Sequence, residues 1–418
     1  MVETKETQHL LHKMEPISLE IEKWKEFDPP NDVRKMGSRI WDESKMMWEI
    51  AAPAIITSVA QFSLGFVTIA FVGHIGEVEL AAVSVVQNVL EGFVFGIMFL
   101  QAQSKIWVMS IISLVVLLFH FILNWILLTK LGMGLLGAAI AENVSWWLVV
   151  LAQIGYVLCG FFPESWTGFS LLAFKSLFSF VKLSLASAIM LCLELWYYTL
   201  VILMVGWLKN PEIAVDAISI CMNLEIWTLM FTLGFNAAIS VRVSNELGAN
   251  HPKAAKFSVI VCVVTSTVFG FIFTVAILAT RNVYPLMFSD KKEVIETTSK
   301  LGYFLAATIF LNSIQPVLHG VAVGAGWQLS VALINVGCYY LFGLPFGALL
   351  GYKFKQGVKG IWLGMLAGCL LQTIILIIYV LRANWSREAS KAEARLKSYS
   401  DSSLPQTEKT QGGMLVED

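Results

Sequence analysis

Long apolar stretches, each close to the length of a bilayer-crossing helix, follow one another along most of the chain with short polar breaks between them. Spans are read at 48–72, 80–100, 107–128, 135–158, 180–206, 214–240, 257–280, 301–324, 329–351 and 360–381. A helix crossing about 30 Å of hydrocarbon needs roughly 20 apolar residues. The breaks GHIGEVE, KLGMG, FFPESWTG, KNPE, GANHPK and KQGVKG carry the Gly, Pro and Asn that end helices and turn chains. Outside the spans, a polar tail precedes residue 46, and a second tail (383–418), rich in Ser, Lys and Glu, reads as disordered. The pattern predicts an all-α polytopic membrane protein with about ten membrane helices.

Composition agrees: the 418 residues are 57% hydrophobic and only 14% charged, too few charges for the surface of a soluble protein this long. A net charge of −1 gives no sign of a nucleic-acid partner. The cysteines (Cys159, Cys192, Cys221, Cys262, Cys338 and Cys369) sit singly in apolar segments, which suggests neither a disulfide framework nor a metal site. No apolar h-region stands near the start, so the first membrane helix is expected to direct insertion. No HExxH, nucleophile elbow or long ligand-binding ectodomain appears, which argues against an enzyme or a receptor.

Basic residues orient the spans. The first tail, Lys105, Lys175, Lys182, Arg242, Lys253, Lys256 and the last tail fall on one side, which places both termini in the cytosol. Two loops disagree, one with Arg281, Lys291 and Lys292, the other with Lys353, Lys355 and Lys359. The sequons at Asn143 and Asn384 fall inside a span and on the cytosolic side, so both are read as accidental.

The chain also repeats itself. EVELAAVSVVQN (77–88) lines up with EIAVDAISICMN (212–223) at an offset of 135. GLLG (134–137) lines up with GVKG (357–360), and YVL (156–158) with YVL (379–381), at an offset of 223. Trp107 and Trp327 differ by 220. A two-fold repeat should keep one offset. The jump of 223 − 135 = 88, between Asn88 and Trp107, means that the first half lacks about 85–88 residues that the second retains. The expected organisation is a cytosolic tail (1–45), an incomplete first lobe of about four helices (46–160), an inter-lobe loop (161–179), a six-helix second lobe (180–382) and a cytosolic tail (383–418). The two lobes are pseudo-symmetric helical bundles.

Repeated halves place substrate and coupling-ion sites near the midplane, between them. Glu194 is the first candidate, the only charged side chain in LSLASAIMLCLELWYYTLVILMVGWL (183–208). Its helical neighbours Met190, Leu191, Tyr197 and Tyr198 include no cation, and Lys182 is about 18 Å away along the axis. A carboxylate without a counter-ion at a helix centre costs about 2.5–3.5 kcal/mol. Such a group is protonated while its site is dry and ionised when it is wet, as a proton-coupled carrier requires. The competing reading is a structural carboxyl hydrogen-bonded to a neighbouring helix. Tyr197 and Tyr198 are candidates to orient it or to stack with substrate, or else they face core or lipid.

The other intramembrane polar residues, among them His120, Asn124, Glu142, Asn223, Asn236, Gln315, His319, Asn335 and Gln372, read mostly as helix bridges. Asp216 and Glu225, nearer span ends or polar neighbours, rank below Glu194 as proton carriers. Pro53, Pro316 and Pro345 mark kinks. The stretch Asn312-Ser-Ile-Gln-Pro-Val joins a kink to three polar groups and reads as a cavity wall, with plain helix packing as its rival. Asn223, Asn312 and Gln315 join Tyr197 and Tyr198 as candidate cavity residues. Arg242 and Glu246, at i,i+4 on a helix end, predict a salt bridge that closes a gate or pins a loop.

GFNAAISVRVSNELGANHPKAAKFSV (234–259), LCLELWYY (191–198), FLQAQSK (99–105) and NSIQPVLHGVAVGAGWQ (312–328) closely resemble the plant multidrug and toxic compound extrusion transporters, the DETOXIFICATION proteins, over nearly the whole chain. The resemblance implies twelve helices in two six-helix lobes set as a V, and proton-coupled antiport of secondary metabolites, organic cations and xenobiotics. It matches Glu194 to the family's acidic coupling residue on the seventh helix. Asn312 stands where other plant members carry Asp, as in the flavonoid-type vacuolar branch. The family's third and fourth helices, with their SALET…GQA stretch, are missing, in agreement with the repeat arithmetic. The expectation is an antiporter that uses protons and no other cofactor, carrying small organic compounds from the cytosol across the vacuolar or plasma membrane. Its partners are the substrate and the bilayer, and its oligomeric state is open. The rival expectation is a shortened form without transport, which misfolds or accompanies a complete copy.

Overall fold

The computed structural model describes residues 33–72, 106–161, 177–208 and 211–403. Among these no strand occurs, and nine helical spans are long and apolar enough to cross a bilayer. They coincide with the expected stretches, apart from 80–100, which lies outside the described residues.

Helix α1 (Val33–Val72), α2 (Ile106–Asn124) and α3 (Gly134–Leu158) form the first bundle. A π-helical stretch, Trp125–Lys130, extends α2. The second bundle holds α4 (Leu177–Gly206), α5 (Pro211–Gly248), α6 (Pro252–Thr280), α7 (Lys292–Asn312) and α8 (Gln315–Ala325). Its next span combines α9 (Gln328–Asn335), a π-helical stretch (Val336–Gly343), α10 (Leu344–Ala348) and a second π-helical stretch (Leu349–Lys353). Helix α11 (Gly357–Arg382) completes the bundle. Helix α1 packs extensively on α5 as well as on α2, so it joins the two bundles.

Local chemistry sets the helix ends. Pro252 and Pro316 occupy first-turn positions, where a missing N–H costs nothing. Helix α8 stops at Gly326, whose φ of 80° provides a left-handed cap. The kink expected at 312–317 is a complete break: α7 ends at Asn312 and α8 restarts at Gln315. The broken backbone finds partners nearby, because Asn236 Nδ2 donates to the Pro316 carbonyl (2.7 Å) and Ser266 Oγ to that of Ser313 (2.6 Å).

Two expectations at the ends change. Helix α1 starts at Val33, so about three turns of the stretch given to the first tail are helical and carry Glu43. The last tail is not wholly disordered either: Trp385–Ser403 forms α12. Trp385, Ala389 and Ala392, at i, i+4 and i+7, make an apolar stripe that packs into the core shared by α5 and α6. Charge-rich composition suggested disorder, but one apolar residue per turn gives the helix a docking face.

Candidate functional site

Glu194 lies on α4 in the thick of the second bundle, with 14% of its side chain exposed. It is not stranded. Gln315 Nε2 donates to its Oε1 at 2.8 Å, and His319 Nδ1 lies 3.2 Å from its Oε2. This corrects the expectation of a carboxyl without a basic neighbour. The partners come from α8, which a search along α4 alone does not reach, and they share one face of that helix at i,i+4.

A closed ring of side chains follows. Gln315 Nε2 also donates to Tyr339 Oη (2.6 Å), and Tyr339 donates to Gln372 Oε1 (2.5 Å). Gln372 Nε2 reaches His319 Nε2 (3.0 Å) and Asn335 Oδ1 (2.5 Å). An amide donor at Nε2 fixes that nitrogen as an acceptor, so His319 carries its proton on Nδ1 and gives it to Glu194. Four helical segments thus meet at one carboxyl: α4, α8, the π-helical stretch with Tyr339, and α11. Both donors at Glu194 suit its ionised form. Gln315 Oε1, buried without a partner among the described residues, is the acceptor a protonated Glu194 would need.

A second carboxyl lies beside this ring. Asn312 Nδ2 donates to Glu225 Oε1 (2.6 Å) and to Tyr198 Oη (3.0 Å). Glu225 on α5 is only 2% exposed, and its Oε2 and Asn312 Oδ1 are buried without partners among the described residues. Glu225 has the polar neighbours expected of it, and it is deeply enclosed between the turns of α5 that bury Cys221 and Thr232.

The other expected residues divide. Tyr197 is fully buried, stacked on Tyr339 with centroids 4.3 Å apart, and donates to the Met365 carbonyl (3.3 Å), so it supports the ring instead of lining a space. Asn223, half-buried on α5, is not joined to either carboxyl. Arg242 and Glu246 form the expected bridge (2.9 Å), away from this cluster. Arg242 also holds Glu43 of α1 with two bonds of 3.0 Å, and His251 lies 3.3 Å from Glu246. Sequence reading missed Tyr339 altogether and took His319, Asn335 and Gln372 for separate helix bridges.

The MatE family model matches residues 53–102 and again residues 186–349. The chain belongs to the MatE family. Of the two matched stretches, the first is much the shorter. Protein DETOXIFICATION 33 of Arabidopsis thaliana is 42% identical, over 87% of this chain and 94% of that protein. DETOXIFICATION 29 of the same plant is 43% identical, over 85% and 89%. The alignment to Arabidopsis DETOXIFICATION 30 has 472 positions but covers 92% of the 418 residues, roughly 385, so nearly ninety positions of that alignment face no residue here. That figure agrees with the 85–88 residues inferred from the repeat. Among solved structures, the crystal structure of the eukaryotic MATE transporter AtDTX14 matches with a TM-score of 0.76 and 27% identity, covering 85% of this chain and 99% of that one. Vibrio cholerae VcmN in its bent form shares the fold at a TM-score of 0.68 and 14% identity. These MatE homologues are transporters, so the two carboxyls sit inside a transporter fold.

Proposed function

We propose that this MatE protein is a proton-coupled antiporter that exports amphipathic organic compounds from the cytosol into the vacuole or the apoplast. The observation that carries this reading is Glu194, a carboxyl held at the meeting of four helical segments with donors on both oxygens and an unused acceptor, Gln315 Oε1, at hand. Ionised, Glu194 ties α4 to α8 through Gln315 and His319. A proton arriving from the acidic side turns the Gln315 amide, which breaks its bond to Tyr339 and loosens α8 from the ring. Substrate release accompanies that rearrangement, and loss of the proton toward the cytosol restores the ring. Glu225 with Asn312 and Tyr198 offers a second exchangeable group beside the first.

In vesicles with an imposed pH gradient, Glu194→Gln should reduce efflux of a fluorescent organic cation to the level of empty vesicles while membrane insertion is unchanged. Efflux at the wild-type rate would end the reading. A second reading, a shortened form without transport, is favoured by the nearly ninety absent positions. This chain and a longer relative, compared in the same vesicles, separate the two: gradient-driven efflux from the relative alone selects the second.

A further inference from the structure

The first bundle contains an acid–imidazole cluster that the reading above does not use. Thr68 on α1, His120 and Asn124 on α2, and Glu142 and Ser145 on α3 meet inside it, and His120 is completely buried. Hydrogen bookkeeping assigns their roles. Ser145 Oγ gives its only hydrogen to the Ala141 carbonyl (2.8 Å), so at 2.8 Å from His120 Nδ1 it accepts, and Nδ1 carries a proton. Thr68 donates its hydroxyl hydrogen to Glu142 Oε2, so at 3.0 Å from His120 Nε2 its oxygen is open to accept, as is the Leu64 carbonyl, also 3.0 Å from Nε2. His120 Nε2 and Glu142 Oε2 are themselves 4.0 Å apart, too far for a direct bond, with the threonine hydroxyl linking them.

We propose that Glu142, Thr68 and His120 form a separate proton-binding site, in the first bundle, in which one proton is shared between carboxyl and imidazole through the threonine hydroxyl. The transfer balances. The Nε2–H bond of His120 breaks as a new O–H bond forms on Thr68, and the original Thr68 O–H bond breaks as one forms on Glu142 Oε2. An imidazolium–carboxylate pair becomes a neutral imidazole and a carboxylic acid, with no net charge moved into the membrane. Asn124 suits both states. Its Nδ2 donates to Nε2 (2.9 Å) when that nitrogen is bare, and its Oδ1, buried without a partner among the described residues, accepts from it after the amide turns. Trp146 Nε1 holds the other carboxylate oxygen (3.1 Å) and keeps Oε2 aimed at Thr68.

Other charges are distant among the described residues. On α1 the nearest is Glu49, nineteen residues before Thr68 and about 28 Å along the axis. On α2 and its extension it is Lys130, held over the Trp125 ring at 5.1 Å. On α3 the other ionisable side chain is Tyr156.

The test is a pH titration of the full chain in lipid, read by infrared spectroscopy of carboxyl bands (wild type minus Glu142→Gln) and by nitrogen NMR of labelled histidine. The expected result is a protonated-carboxyl band that Glu142→Gln removes and a His120 Nε2 signal that follows it on one common curve. Thr68→Val should split that curve in two, and Thr68→Ser should restore it. If Glu142→Gln does not fold, the valine and serine variants decide alone. A carboxyl band indifferent to Glu142→Gln, or a His120 signal that titrates identically with valine or threonine at position 68, overturns the proposal. Neither readout requires transport, so the outcome is independent of Glu194.

Discussion

Tyr339 shows how much of the site depends on a side chain with no formal charge. Its hydroxyl accepts from Gln315 and donates to Gln372, and so closes the ring that positions both donors at Glu194. Tyr339→Phe keeps the ring stacking on Tyr197 but leaves a buried amide N–H and a buried carbonyl each short of a partner. Groups of this kind cost about 1–3 kcal/mol each, so this variant should unfold at a measurably lower temperature in detergent. It should also weaken gradient-driven efflux without abolishing it, because Glu194 keeps His319. A melting temperature equal to wild type would mean that water replaces the hydroxyl. From sequence, a lone tyrosine in an apolar span looks like packing. Glu194 was legible because charge is rare there, whereas Tyr339 was legible only through partners on three other helical segments.

Helices 26 residues long such as α11 were readable from hydropathy alone, and the agreement at every described span reflects the high cost of exposing backbone to lipid. Less legible were departures from regular helix. The π-helical stretch Val336–Gly343, which carries Tyr339, has no simple sequence signal, and neither does its tight packing against α11. Gly364 of α11 faces Gly347 of α10 so closely that a Cβ on Gly364 would lie 2.2 Å from the Gly347 Cα. Backbone fills that contact and cannot swing aside. Gly364→Ala should therefore cost at least about 1–3 kcal/mol, seen as a lower melting temperature and poorer recovery from detergent. Gly337→Ala, where a Cβ meets nothing within 4 Å, is the control. Equal losses from both variants would show that the Gly347 contact does not set the outcome, because alanine is the better helix former at both positions. The sequence does place glycines in both segments, but only the crossing of the helices shows which pair touches.

In the whole molecule, the first and second bundles are tied by Arg242, a residue that sequence reading placed in a local bridge with Glu246. The structure adds Glu43 of α1, gripped by Nε and Nη2 at 3.0 Å each, so one guanidinium pairs with a carboxylate from each bundle. Arginine suits this role because its planar fork matches carboxylate geometry. The pair was illegible because Glu43 lies in a stretch that reads as polar tail and is 199 residues away. Separating the bundles at this end requires breaking a nearly buried, bidentate ion pair, and removing one partner of such a pair typically costs about 3–5 kcal/mol. Arg242→Gln should thus favour the state in which this end is open. Cys262, fully buried in the core that α1 and α5 share, reports on that change. In a background retaining Cys262 as the sole cysteine, a water-soluble maleimide should label the Arg242→Gln protein several-fold faster than its Arg242 parent. Glu43→Gln, which keeps hydrogen bonding but removes one charge, should fall between them. If Arg242→Gln leaves the labelling rate unchanged while the protein stays folded, the ion pair does not hold the bundles shut, and its role is confined to anchoring the first turns of α1.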